Sequence, residues 1–215
     1  SWTDAHNELR DALINPDVDA GDSVWVRAGT YKPTDDLDRV KSFNLPYGVA
    51  LFGGFPNGTE TLLSERDPVG SPTVLSGDLN GDDGYSYSTH LPSITNNSDN
   101  SYHVLTGSSA VRLDGFVIRG GNADGAGIDQ NGAGARFVFA QNVEIVDSII
   151  EYNRALLSGG GLNLNTRSSA TIENVTVRYN LANNGAGVSY IDGEYKKITL
   201  KDCVLFGNRA PYMDE

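Results

Sequence analysis

Residues 113–123 read Leu113-Asp114-Gly115-Phe116-Val117-Ile118-Arg119-Gly120-Gly121-Asn122-Ala123, and the pattern returns at 145–155, 172–182 and 200–210. The offsets between successive copies are 32, 27 and 28 residues. Aligned, the first column is Leu113, Ile145, Ile172 and Leu200, and the sixth is Ile118, Ile150, Val177 and Leu205. The last column is alanine each time, at 123, 155, 182 and 210. Phe116, Ser148, Val175 and Cys203 form another column between them. Apolar residues alternating with outward ones at a period of two are the inward positions of short strands.

Two further columns point to bends. Gly115, Asp147, Asn174 and Asp202 interrupt the alternation, and all three residue types tolerate the left-handed backbone region. Gly121, Asn153, Asn180 and Asn208 read as a second such bend, with side-chain amides placed to bond from rung to rung. A small-residue motif followed by an aliphatic comes next: Gly125-Ala126-Gly127-Ile128, Gly160-Gly161-Leu162 and Ala186-Gly187-Val188. A unit of about 28 residues with several short strands cannot bury its apolar face alone, so units must stack about 4.8 Å apart. The expectation is an all-β parallel β-helix. A β-sandwich would give alternation without same-residue columns at fixed spacing, and a leucine-rich repeat would need a leucine pattern that is absent.

Working outward, residues 4–14 place Ala5, Leu9, Ala12 and Leu13 on one helical face, with Thr3 as N-cap. Such a helix would cover the open edge of the first coil. Strand signals follow at 23–27, 49–52, 73–75 and 102–105, with insertions at 34–42 and 77–100. The expected organisation is one domain over 1–215: a cap helix in 1–20, irregular first coils over 21–110, and regular coils over 111–215. The final repeat stops before its Gly-Gly turn, which suggests the N-terminal part of a longer β-helix.

Composition narrows function. The chain of 215 residues carries 16 Lys+Arg against 28 Asp+Glu, a formal charge of −12, with no basic run. That disfavours nucleic acid and anionic membranes as partners. No apolar stretch reaches the ~20 residues of a membrane span. One cysteine excludes an intramolecular disulfide framework and a cysteine-based zinc cluster.

The segment Gly21-Asp22-Ser23-Val24-Trp25-Val26-Arg27-Ala28-Gly29-Thr30-Tyr31, together with the unit at 113–123, resembles right-handed parallel β-helix proteins of the pectin-lyase-like superfamily. The later units, with Gly-Gly-Leu, Tyr-Asn-Arg-Ala and Phe-Gly-Asn-Arg-Ala, look like repeats of bacterial polymorphic outer-membrane proteins. The resemblance implies a right-handed coil and an extracellular or bacterial cell-surface setting. It leaves function open, because this superfamily includes lyases, hydrolases and adhesins.

Two places carry candidate chemistry. The outward column Arg119, Glu151, Arg178, Phe206 sets opposite charges on adjacent rungs, with Tyr152 and Tyr179 stacked alongside. It reads either as an inter-coil ion ladder or as a shallow groove for a sugar or acidic glycan. The loop Asp78-Leu79-Asn80-Gly81-Asp82-Asp83-Gly84 offers oxygen ligands across a Gly-rich turn, with Asp78, Asn80, Asp82 and Asp83 as candidate Ca²⁺ ligands and Asp99 as a completing one. It lacks the closing glutamate of an EF-hand, Thr89 standing there instead. Acids in the columns Arg112, Glu144, Thr171, Thr199 and Asp114, Val146, Glu173, Lys201 are too dispersed for a lyase metal site or a hydrolase carboxylate pair. His6, His90 and His103 have no metal or triad spacing. The leading expectation is therefore a non-catalytic stalk or adhesin module of a secreted or surface bacterial protein, with a polysaccharide or a neighbouring or host cell surface as partner. The alternative is a polysaccharide lyase whose cleft lies partly beyond Glu215.

Overall fold

The computed structural model describes residues 2–165, 167–191 and 197–210. The chain is a parallel β-solenoid of about six turns with very little helix. Its first sheet stacks Ser23–Arg27, Ala50–Phe55, Arg112–Asp114, Val143–Val146, Ala170–Glu173 and Ile198–Lys201 in chain order. The second stacks Gly29–Tyr31, Thr73–Ser76, Phe116–Arg119, Ile149–Glu151, Thr176–Arg178 and Val204–Phe206. The third runs Phe43–Leu45, Leu105–Gly107, Ala135–Val138, Leu162–Asn165 and Val188–Ile191.

The columns anticipated from sequence are the observed register. Leu113 pairs with Ile145, Ile145 with Ile172, and Ile172 with Leu200. Ile118, Ile150, Val177 and Leu205 are joined in the same way. The inward residues of the inner coils are fully buried and form one continuous core with Phe43, Leu45, Leu51, Phe116 and Phe137. Ala123, Ala133, Ala155 and Ala182 form a separate, small cluster at a corner too tight for larger side chains. Cys203 is partly buried against the core, and its Sγ donates to the Ile172 carbonyl.

The bend after the first sheet falls where expected, with φ of +83° at Gly115, +47° at Asp147, +54° at Asn174 and +51° at Asp202. The second bend is displaced by one residue. The left-handed positions are Gly120, Tyr152, Tyr179 and Gly207, not the asparagine column. Those asparagines instead turn inward and form the ladder. Asn153 Nδ2 donates to Asn180 Oδ1 at 3.0 Å, and Asn180 Nδ2 to Asn208 Oδ1 at 3.0 Å. The backbone N–H of Gly121, Asn153 and Asn180 each donates to the asparagine Oδ1 of the next coil. A buried amide that satisfies the backbone around it outweighs its tolerance of positive φ, so the bend moves to its neighbour.

The small-residue motif also needs one correction. Ala135 pairs with Leu162, and Leu162 with Val188, so the first counterpart is Gly134-Ala135 rather than Gly127-Ile128. Ile128 is exposed on the 3-10 turn Gly127–Gln130 inside an insertion. Glycine is required in the true column: a Cβ on Gly134 would stand 2.4 Å from the Gly161 carbonyl oxygen, and one on Gly161 would stand 2.6 Å from that of Gly187.

At the start, the α-helix covers only Leu9–Leu13, preceded by a 3-10 turn at Trp2–Asp4 that contains Thr3. Glu8, not Thr3, precedes the helix, and no side chain caps it. Trp2 explains the shortening. Its indole N–H donates to the Glu60 carbonyl at 2.8 Å and its ring meets Phe55 edge-on, which holds this segment along the first coil. Leu9 and Leu13 are buried in the core, as a covering helix requires. The strand expected at 102–105 begins at Leu105, and the 77–100 insertion contains an antiparallel hairpin, Gly84–Ser88 with Leu91–Thr95.

Candidate functional site

The left-handed corner at Gly120, Tyr152, Tyr179 and Gly207 stacks two tyrosine rings on adjacent coils, their centroids 5.1 Å apart. The hairpin lies along this corner, parallel to the solenoid axis. Tyr85 packs on Tyr152 at 5.3 Å and Tyr87 on Tyr179 at 4.5 Å, while Phe206 meets Tyr179 edge-on. Alternate residues of one strand point to one face, which is why 85 and 87 both reach the tyrosine stack. Further along, Arg209 Nε donates to the His90 carbonyl at 3.0 Å. The hairpin therefore takes up part of the aromatic surface that the sequence offered as a groove.

The charge column divides. Glu151 is buried, and Arg178 places Nε and NH2 each 2.7 Å from its Oε2. Arg119 makes no ion pair among the described residues; its guanidinium carbon lies 5.2 Å from the centre of the Tyr85 ring. Its Nε is buried without a partner. Burial and the Glu151 charge push the Tyr152 phenol above its ordinary pKa. Tyr85 is pushed well above the phenol range by burial and by its bond to Asp83, so it remains a hydrogen-bond donor. The corner thus presents Tyr152, Tyr179, Arg119 and the Glu151–Arg178 pair on successive rungs.

The acidic loop at the root of the hairpin sorts its carboxylates differently from the sequence expectation. Asp78, Asp82 and Asp99 each contribute an oxygen, and these lie within 4.8 Å of one another. Asp78 is buried and accepts the N–H groups of Gly81, Asp82 and Asp83. Asn80 enters through its backbone N–H, which donates to Asp99 Oδ2 at 3.0 Å. Asp83 lies outside this group: its Oδ2 accepts from Tyr85 at 2.8 Å and from Asn100 Nδ2 at 2.7 Å. Burial, reinforced by the charges of Asp78 and Asp99, raises its carboxyl above the usual range. Lys32 Nζ donates to the Leu79 carbonyl at 2.9 Å and brings one positive charge to the loop. Asp78, Asp82 and Asp99 are an oxygen set of the kind a hard cation takes.

Other acids are spent between coils. Asp114 is buried between Arg66 at 2.9 Å and Arg112 at 2.7 Å, and Arg112 also reaches Glu144 at 2.7 Å. Glu173 pairs with Lys201, and Asn174 Nδ2 bonds Asp147. Sequence reading missed the part of Arg66, which arrives from a long loop with no repeat to align it, and that of Tyr85 and Tyr87. The alternation Tyr85-Ser86-Tyr87 was a strand signal inside the insertion, but nothing in it names the tyrosines it meets. Comparison with protein-family models, with curated proteins and with solved structures gives no match. Among the described residues no helix is long and apolar enough to cross a membrane.

Proposed function

We propose that the chain is a non-catalytic β-solenoid module of a secreted or cell-surface protein, a stalk or adhesin segment that meets glycan along its tyrosine–arginine corner. The observation that carries this reading is the commitment of outward side chains to rung-to-rung contacts. Arg112 with Glu144, Glu151 with Arg178, Glu173 with Lys201 and Asp147 with Asn174 all join neighbouring coils. An enzyme groove needs acids and bases kept available to a substrate; a rigid spacer needs them paired along its length. Arg119, with no counter-ion among the described residues, and the parts of Tyr152 and Tyr179 that the hairpin leaves exposed supply what an acidic sugar recognises. Ca²⁺ at Asp78, Asp82 and Asp99 would hold the root of the hairpin against this corner.

The test is incubation with polyuronates and sulfated glycans, in Ca²⁺ or in EDTA, followed both by binding and by ultraviolet absorbance of unsaturated uronate ends. Retention of glycan without new absorbance, weakened by Arg119→Ala, supports the reading. A calcium-dependent rise in absorbance that survives repurification replaces it with a lyase. Binding to none of the panel removes the glycan half of the proposal.

A further inference from the structure

Ser23–Arg27 is the outermost strand of the first sheet, paired with Ala50–Phe55 on one side and with no strand on the other among the described residues. Ser23 stands opposite Ala50, and the Ala50 N–H donates to the Asp22 carbonyl. Successive residues of a strand turn their N–H and C=O to opposite edges, so Val24 bonds to Ala50–Phe55 while Ser23 and Trp25 face away from it. Among the described residues nothing accepts from or donates to the backbone of Ser23 and Trp25 on that free side. The N-terminal helix Leu9–Leu13 packs chiefly over Phe43–Leu45 of the third sheet instead. Between the free edge and the N-terminal segment lies a cleft of about 1060 Å³, at the upper end of the range for ligand sites.

The cleft wall carries what an added strand needs. Two N–H donors and two carbonyl acceptors repeat along the edge at the spacing of an extended main chain. Proteins usually blunt such an edge with charge, proline or a bulge. Here the one irregularity falls between Trp25 and Arg27 and leaves Ser23 to Trp25 in regular register. Val24 and Val26 line the cleft beside them, and Trp25 is held by its stack on Phe55, with ring centres 4.6 Å apart. Asp4, Glu8 and Glu60 also line it, against Arg27 as its one arginine and no lysine. We propose that this cleft is a β-augmentation site, which takes an extended peptide segment, apolar and basic at alternate positions, as a further strand of the first sheet. Main-chain bonds to Ser23 and Trp25 would give the affinity, and the acidic wall the preference for basic side chains.

Trp2 and Trp25 are the two tryptophans of the chain and both line the cleft, so intrinsic fluorescence reads its occupancy. The probe is acetyl-Lys-Val-Lys-Val-Lys-Val-amide, titrated to millimolar concentration, with hydrogen exchange at the Ser23 and Trp25 amides as the second readout. Binding should change the fluorescence and slow exchange at both amides. Alternate amides of an extended peptide face one edge, so of two probes N-methylated at alternate positions, one should lose binding and the other keep it. Ser23→Pro removes an N–H that has no partner within the molecule, so the fold should stand while affinity falls roughly two- to tenfold. No fluorescence change with the parent protein overturns the proposal, as does binding that leaves exchange at Ser23 and Trp25 unchanged. Equal loss with both methylated probes, or none with either, overturns strand addition. Equal binding of acetyl-Glu-Val-Glu-Val-Glu-Val-amide overturns the basic occupant, and protection of the same amides by a polyuronate oligosaccharide instead makes the cleft a sugar site. If Ser23→Pro does not fold, the methylated probes decide, because they leave the protein unaltered.

Discussion

Truncating Asn180 to alanine should cost far more than its single amide suggests. The side chain is wholly buried, and its Oδ1 accepts from both the backbone N–H and the Nδ2 of Asn153. Its Nδ2 donates to the carbonyls of Ile150 and Arg178 and to Asn208 Oδ1, all within 3.0 Å. Removing it strands the buried Asn153 N–H, which has no other acceptor in the coil, at about 1–3 kcal/mol. The remaining lost bonds and the small void bring the expected total to roughly 3–4 kcal/mol. For a chain of this size that is a fall of about 6–16 °C in melting temperature. Thermal and urea unfolding followed by circular dichroism at pH 7 would measure it, with Lys201→Ala, at an exposed ion pair, as a control expected to leave melting unchanged. A loss below about 1 kcal/mol would mean that water replaces the ladder at little cost, and the account of the asparagine column would be wrong.

Other consequences can be checked alongside it. Gly161→Ala should destabilise severely, since the new Cβ would stand 2.6 Å from the Gly187 oxygen and 3.0 Å from Asn180 Nδ2; far-ultraviolet dichroism after refolding would show whether the coil still forms. A double-mutant cycle on Tyr87 and Tyr179 should return a coupling of about 0.5–1.5 kcal/mol beyond area burial, and a value near zero would dissociate the hairpin from the tyrosine stack. Titration with CaCl₂ should raise the melting temperature of the parent protein but not of Asp78→Asn, and no rise at millimolar Ca²⁺ would make the loop an ordinary acidic turn. Because the Asp83 carboxyl titrates higher folded than unfolded, its share of stability is present at acid pH and is lost as pH rises through the folded value. The stability of Asp83→Asn relative to the parent should therefore improve as pH rises from acid to neutral, and a difference independent of pH would place the raised pKa elsewhere.

The repeat was legible because the solenoid imposes one environment on each column. Leu113, Ile145 and Ile172 share a burial and a register, so they share a chemistry that reads directly from the chain. The bend at Tyr152 and Tyr179 was not legible: tyrosine has no affinity for positive φ, and it adopts that conformation because the next residue is an asparagine tied into the ladder. The N-terminal helix was overdrawn because amphipathic spacing cannot see that Trp2 has a partner at Phe55. Of the candidate sites, the pairing of Glu151 with Arg178 followed from register alone. The grouping of Asp78 and Asp82 with Asp99 rather than Asp83 depended on which way each side chain leaves a loop, and no periodicity carries that information.

The hairpin has a consequence for the order in which the molecule assembles. From Leu113 onward each coil meets the next after 32, 27 and 28 residues, so stacking there can proceed by short loop closures as the chain lengthens, whereas Leu51 meets Leu113 across the insertions, 62 residues on. The hairpin is made early, at 84–95, yet its tyrosines meet partners at 152 and 179, and the His90 carbonyl waits for Arg209, 119 residues later. Its docking is complete only when the last described coil has formed. During synthesis it is a free arm exposing Tyr85 and Tyr87, and its docking converts a row of pairwise couplings into one cooperative unit.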